Sequence, residues 1–437
     1  MNDSAQPTPH DEAVEIACRL IQMDTSNYGS GDCVGERPAA EYAAELLEEV
    51  GLSTTVVESA PGRTNVFARI PGADPSANAL MVHGHLDVVP AMAEDWSVDP
   101  FSAEIRDGMI WGRGAVDMKD MDAMMLSVVR HMQRTGQQPR RDIVIGFFAD
   151  EEAGMDYGSR WVVKNHPEIF EGVTDAISEV GGYSATIGGR RAYLLQTAEK
   201  GLMWLRLHAD GTAGHGSQIN HDNPVTTLSR AIANIGDYSW PVELTKTTRQ
   251  FLDAVTELTG VEFDPQDPHK LLSELGSVAR FVGATLQNTA NPTVLNSGYK
   301  TNVIPGSATA ALDVRYLPEQ REKVLAKIQE LAGDKIRIEF ESDQIGLEVP
   351  FSGTVVDAMV DALAIHDPGA VVLPYMLSGG TDNKSLDPLG ITGYGFAPLR
   401  LPDDLDFPAM FHGVDERVPI DSLEFGADVL HTLLTRY

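Results

Sequence analysis

Two histidines and a set of carboxylates spread along most of this chain are the groups best suited to hold metal ions. The segment Val82-His83-Gly84-His85-Leu86-Asp87 puts His85 and Asp87 two apart in what reads as extended chain, hence on one side. A metal-ligating imidazole commonly gives its second N–H to a carboxylate that fixes its tautomer, and Asp87 has the spacing for that task. A lone His-x-Asp is a weak signal, and it needs partners. They follow in order: Asp117 in Gly112-Arg113-Gly114-Ala115-Val116-Asp117-Met118-Lys119, then Asp150-Glu151-Glu152-Ala153-Gly154, then Glu179, then His412 in Phe411-His412-Gly413-Val414-Asp415-Glu416-Arg417. Two histidines and three carboxylates can hold two zinc ions that share one carboxylate. Two ions about 3.5–4 Å apart can activate a water and clamp both oxygens of a tetrahedral intermediate. Each residue also has a plainer reading: Glu151-Glu152 as a solvated acidic pair, Asp117 as a helix cap, His412 as a loop histidine. Their joint occurrence is what favours a metal site.

The elements that would position these groups alternate. Apolar residues at helical spacing mark helices at 11–23, 36–50 and 121–135, the last stopped by Gly136. Strand-like runs lie at 54–57, 65–70, 79–83 and 143–148, with a shorter one around 176–177. Such alternation predicts an α/β sheet with helices on both faces, in which ligands gather past the carboxyl ends of strands. His85, Glu152 and Glu179 all fall just past such ends. After about Gly201 the texture changes: 202–208 alternates like a half-solvated strand, 308–316 reads as another, and helical patterns lie near 224–235, 245–258 and 270–282. This stretch is expected to be an inserted second domain, after which the first resumes.

Composition narrows the function. The net charge of −31 repels nucleic-acid phosphates and anionic membranes, so neither is an expected partner. Only Cys18 and Cys33 are present, too few for a disulfide framework or a thiolate zinc site, so a metal must use histidines and carboxylates. The first residues lack a basic head and apolar run, and no apolar stretch approaches the roughly 18 residues of a membrane helix. A cytoplasmic protein is expected.

Together these motifs resemble the family of dizinc hydrolases that includes acetylornithine deacetylase, succinyl-diaminopimelate desuccinylase, aminoacylases and glutamate carboxypeptidase, over most of the chain from about His83 to Arg417. The resemblance implies a zinc-peptidase-like catalytic domain with a mixed sheet, formed by 1–199 and 317–437, plus an inserted α+β lid and dimerisation domain at 200–316. It implies that His85, Asp117 and Glu179 hold one zinc and Asp117, Glu152 and His412 the other, with cobalt or manganese open to the same ligand types. Glu151 would be the general base, Asp87 would support His85, and the bond after Asp117 would be cis. In the insert, Gly211-Thr212-Ala213-Gly214-His215-Gly216-Ser217 is similar to the family's lid motif, whose histidine polarises the scissile carbonyl, often from the other subunit of a dimer. Asn302 and Arg315 resemble its substrate-contacting pair, and Ser378-Gly379-Gly380-Thr381-Asp382 its glycine loop. Each of these could instead be a loop histidine, a structural hydrogen bonder or a plain turn.

Asp120-Met121 and Asn383-Lys384 depart from the family's usual residues, which puts the substrate pocket in question. The helical 245–282 stretch makes the insert longer than the compact form. The implied reaction is hydrolysis of an amide bond in a small N-acyl amino acid or peptide with a free carboxylate, of carboxypeptidase or aminoacylase type. Glu179 leans that way by analogy, with an aminopeptidase or dipeptidase the close rival. A non-catalytic binding relative would be expected to have lost ligands or the base, and here all six positions are filled. A homodimer through the lids is expected.

Overall fold

Along the strand Ala79–His85, Leu80 and Val82 enter one apolar cluster while Ala79 and Met81 enter another, the period-two signature of a strand buried on both faces. Ile143–Phe148 divides the same way, with Ile143, Ile145 and Phe147 on one side and Val144 and Phe148 on the other. The structure, a computed structural model, describes residues 8–29 and 31–437. Its main sheet has ten strands and is mixed. Val173–Ser178, Ala79–His85 and Ile143–Phe148 are parallel neighbours at its centre. Antiparallel strands flank them, Arg63–Ile70 and Thr54–Ala60 toward one edge and Arg190–Glu199 and Tyr183–Ile187 toward the other.

Helices cover both faces. Pro9–Ile21, Lys119–Thr135, Thr354–His366 and Ile420–Arg436 pack together on one side, and Ser159–Asn165 with Asn383–Leu386 covers the other. Lys119–Thr135 is buried along most of its length and ends at Gly136, whose φ of 67° is the left-handed turn that glycine tolerates at a helix terminus.

A second, four-stranded antiparallel sheet has the order Thr289–Ser297, Ser307–Tyr316, Gly201–Asp210, Ile336–Gln344. Met203, Leu205 and Leu207 point to one face and pack with Ala310, Leu312 and Val314 against helices Pro224–Asp237 and Arg321–Ala332. The boundary expected at 316 is therefore too early, because Ile336–Gln344 pairs with Gly201–Asp210 along its length. Nor do the helices of the long insertion belong to this sheet: Phe251, Leu252, Val255, Leu271 and Val282 are buried in the main core. The helix expected over 270–282 is broken into His269–Leu272 and Ala279–Ala284 by a 3-10 turn in which Gly276 takes φ 56°. That conformation is open to glycine and costly for a residue with a Cβ.

The chain passes between the two sheets close to Gly201, Tyr316 and Gln344. These crossings are packed on one another: the Tyr316 hydroxyl donates to the Gln344 carbonyl at 2.7 Å, and a Cβ on Gly201 would fall 2.1 Å from the Tyr316 ring. Gly201→Ala should therefore destabilise the protein by about 1–3 kcal/mol, the usual range for overpacking. Gly236→Ala, where nothing lies within 4 Å near the end of a helix, should stabilise by about 0.5–1 kcal/mol. Urea midpoints of the two variants check both signs.

Candidate active site

The three central strands are parallel neighbours, so their carboxyl ends lie side by side, and each delivers an acid or an imidazole there. His85 is the last residue of Ala79–His85 and lies opposite Phe148. Glu151 and Glu152 open the short 3-10 turn Glu151–Ala153 just past Ile143–Phe148, and Glu179 directly follows Val173–Ser178. Asp117 arrives on the loop before helix Lys119–Thr135, and His412 on the loop before strand Arg417–Pro419.

These side chains form two triads, His85–Asp117–Glu179 and Asp117–Glu152–His412, whose ligand-type atoms lie within 4.8 Å of one another. Asp117 belongs to both. Its Oδ1 is 3.2 Å from His85 Nε2 and its Oδ2 is 3.3 Å from His412 Nε2. His85 Nε2 lies 3.6 Å from Glu179 Oε2, and His412 Nε2 lies 3.1 Å from Glu152 Oε2. The Asp117–Met118 peptide bond is cis, as the resemblance implied.

The donor set fits a pair of divalent cations. Glu152 Oε1 is buried with no hydrogen-bond partner, a lone carboxylate oxygen next to an imidazole. Burial pushes Glu151 well above the usual carboxylate range and Glu179 up to about 8, neighbouring acids adding to both. Burial likewise lifts Asp382 to about 7. Against the same burial, hydrogen bonds from His412 and His85 hold Asp117 below its ordinary value. An excess of buried carboxylates over protein cations is what a bound metal ion compensates.

Asp87 does something other than expected. His85 Nδ1 meets the backbone carbonyl of Asp87 at 2.9 Å, while the Asp87 carboxylate is 3.6 Å away. That carboxylate instead accepts the backbone N–H groups of Glu151 at 3.1 Å and Glu152 at 3.2 Å, and the Asn27 amide at 2.8 Å. Asp87 thus aims the turn that carries the two glutamates.

Several supporting residues escaped the sequence reading. Glu416 accepts from the backbone N–H groups of Gly114 (2.9 Å), Val116 (2.7 Å) and Asp117 (3.1 Å) and from Arg113 Nη1 (2.8 Å), so it holds the Asp117 loop. Both Arg113 and Glu416 stood inside the quoted motifs, and only their opposite charge hinted at a pair. Asn27 also donates to Asp150, and Arg63 bridges Asp150 and Glu36. Asn27, Glu36 and Arg63 carry no local signal at all.

A cavity of about 310 Å³ opens beside the triads, and Glu151, Arg315, Gly379 and Gly380 line it. Arg315 forks onto Asp313 at 2.7 and 3.1 Å. His215 and Asn302 are brought together, Gly216 N–H donating to the Asn302 carbonyl at 2.9 Å, but both are exposed and neither lines the cavity. The departures at Asp120, Met121, Asn383 and Lys384 do not line it either. Asp120 accepts from Met121 N–H, Asn383 faces His83, and Lys384 donates to the Lys200 carbonyl at 2.7 Å. They are buried supports rather than pocket residues.

A profile of peptidase family M20/M25/M40 matches residues 81–436, which span every group in the two triads. The chain belongs to this family. It is a metal-dependent hydrolase of amide bonds. It is 27% identical over 440 residues to N-fatty-acyl-amino acid synthase/hydrolase PM20D1 of Xenopus tropicalis, covering 94% of this chain and 83% of that one. It is 27% identical over 402 residues to human aminoacylase-1, covering 91% and 89%. Among solved structures, the M20 family metallo-carboxypeptidase Sso-CP2 of Sulfolobus solfataricus superposes with a TM-score of 0.73 at 19% identity, over 97% of this chain and 99% of that one. Human carnosine dipeptidase 1 superposes with a TM-score of 0.69 at 16% identity, over 98% and 96%. These two likenesses establish the M20 fold. Among the described residues no helix is long and apolar enough to cross a membrane.

The Asp117 loop gives this M20 site a weak point away from the ligands. Glu416→Gln leaves the Arg113 guanidinium buried without its counter-charge, and breaking such a pair typically costs about 3–5 kcal/mol. A denaturation midpoint lowered to match, with metal held more weakly by the variant in a chelator competition, is the expected result.

Proposed function

We propose that this protein is a dizinc amidohydrolase that cleaves a small N-acyl amino acid or peptide with a free carboxylate. The observation that carries the reading is Asp117, which presents one oxygen to each of two histidine-carboxylate triads. His85 and Glu179 would complete one zinc site and Glu152 and His412 the other. Histidine and carboxylate ligands of this kind suit zinc, with cobalt or manganese able to substitute. Bound there, the metal pair supplies Lewis-acid polarisation of the scissile carbonyl and acidification of the attacking water.

Glu151 lines the same cavity but stands outside both triads, which leaves its carboxylate free to move protons. It takes a proton from water as the water oxygen bonds to the carbonyl carbon, and delivers it to the amine nitrogen as the C–N bond breaks. Asp87 keeps Glu151 and Glu152 aimed through their backbone N–H groups. Arg315, with its planar fork, is suited to a substrate carboxylate that competes with Asp313, and Gly379 and Gly380 allow the substrate backbone to approach closely.

The remaining parts of the reading concern assembly and compartment. The lid is the four-stranded sheet with its two helices, and the edge strand Thr289–Ser297 leaves Val294 and Leu295 exposed, a surface suited to a second copy. His215, exposed and outside its own chain's cavity, would complete the partner's site. Cys18 and Cys33 are both free thiols, in keeping with the cytoplasm.

A panel of N-acyl amino acids and dipeptides, scored by released amine with zinc present, tests the reaction, and absence of hydrolysis throughout the panel would overturn it. Elemental analysis should find two zinc ions per chain. Glu151→Gln should keep both while turnover falls by at least about 10²–10⁴-fold. Glu152→Gln should bind zinc more weakly and regain part of its activity when zinc is added. The reverse pattern would exchange the two roles.

The dimer makes a separate prediction. His215→Ala and Glu151→Gln proteins, each inactive alone, should recover activity when subunits are exchanged between them, because one site of the heterodimer is then whole. No recovery after proven exchange would put His215 outside catalysis in the partner.

A further inference from the structure

We infer that the cavity carries an apolar subsite for a bulky hydrophobic group of the substrate, with Trp204, Phe281 and Phe411 as its walls. The inference rests on the reading of this cavity as the hydrolytic site. It concerns which substrates that site selects.

The three rings reach the cavity from three separate parts of the chain. Trp204 comes from the strand Gly201–Asp210. On that strand Met203 and Leu205 are fully buried on one face, while Trp204 on the other is 41% exposed. The register sets Leu202 opposite Arg315 and Gln344, and Trp204 opposite Asp313 and Ser342. Trp204 thus stands in the row next to the one that carries the arginine. A half-solvated strand ordinarily turns polar residues to the open face, so a large indole beside a charged anchor marks a surface that a ligand covers.

Phe281 comes from the short helix Ala279–Ala284. The rest of the long insertion buries its apolar side chains in the main core, and Phe281 is the residue of 246–284 that lines the cavity. Its ring meets Phe411 edge-on at 5.7 Å, and Phe411 directly precedes His412. The contact continues inward through Phe407 at 5.2 Å and Tyr183 at 4.9 Å. A chain of ring contacts anchored in the core is a stiff wall, able to select by shape. Leu202 and Val180 add apolar surface to the same cavity, Val180 immediately after Glu179. Arg315 and the glycine loop, the polar anchors, line the same cavity. The space therefore offers both an anchor for a carboxylate and an apolar surface for a hydrophobic group, held either as the acyl chain or as the amino-acid side chain.

Two substrate series separate those sources. One keeps the amino acid constant and lengthens the acyl group from acetyl to octanoyl. The other keeps acetyl and enlarges the side chain from alanine to phenylalanine and tryptophan. Burial of a methylene is worth about three- to fourfold in affinity, so kcat/KM should rise by about tenfold or more along one series, and the rising series names the group that fills the subsite. Phe281→Ala and Trp204→Ala, on different elements, should each cut the ratio of large to small substrate by about tenfold in proteins whose circular dichroism shows the native fold. Products of the rising series, bound to the protein in a calorimeter, should tighten with size and lose the same factor in the variants. Hydrolysis of the acetylated small substrates with both series flat, or a rise untouched in two well-folded variants, would overturn the subsite while leaving the hydrolase reading intact. Failure to hydrolyse any member would overturn both.

Discussion

The carboxylate of Asp117 faces one imidazole with each of its oxygens and shares the cavity with three other acids, Glu151, Glu152 and Glu179, and the surrounding structure serves that arrangement. In a low-dielectric setting like charges repel far more strongly than in water, so the acids must share protons or share cations. Much of the buried polar chemistry holds Asp117 between the two imidazoles. Glu416 gathers three backbone donors of the Asp117 loop, and Arg113 neutralises Glu416. That ion pair has no surface role, since both of its side chains are buried.

The same economy of position governs the other ligand-type residues. Three parallel strands end side by side, so the backbone brings His85, Glu152 and Glu179 together before any side chain is chosen. Asp87 refines the result by taking two backbone N–H groups of the Glu151–Ala153 turn, and Asn27 joins Asp87 to Asp150. The cost appears in the backbone: Asp150, Val180 and His412, each at or within two residues of a triad residue, adopt positive φ values of 65°, 55° and 57°. Such conformations are unfavourable for residues with a Cβ, most of all β-branched valine, and persist where surrounding contacts over-determine them.

The cavity is shared between two bodies of different construction. The main sheet, buried on both faces, offers the acids and imidazoles. The small sheet, buried on one face, turns its other face to the cavity with Leu202, Trp204 and Arg315. The arginine and the indole thus come from the small sheet, while the acids, the imidazoles and the phenylalanine rings come from the main body. The long insertion adds to the main core and contributes to the cavity through Phe281, so it bears on the pocket rather than on the small sheet.

The amino-acid sequence determined what depends on residue type and local order. The apolar run Ile143–Phe148 ending in acids, the helix stopped at Gly136, and the ordered His-Asp-Glu-Glu-His motifs were all legible, because each carries its signal within a few neighbours. What only the tertiary structure decided are the relations between distant segments. Ile336–Gln344 is too polar on one face to declare its sheet, and pairing with Gly201–Asp210 alone reveals that it belongs there. The carboxylate of Asp87 was read from its spacing to His85, but the free N–H groups of another strand end proved the stronger attraction. Asn27, Glu36 and Arg63 have no motif, and they matter because folding buries their polar groups where they satisfy one another, Asp87 and Asp150. Glu151 and Glu152 are alike in chemistry and adjacent in sequence. What separates them is the direction a tight turn gives each side chain, which sets Glu152 against His412 and leaves Glu151 free in the cavity.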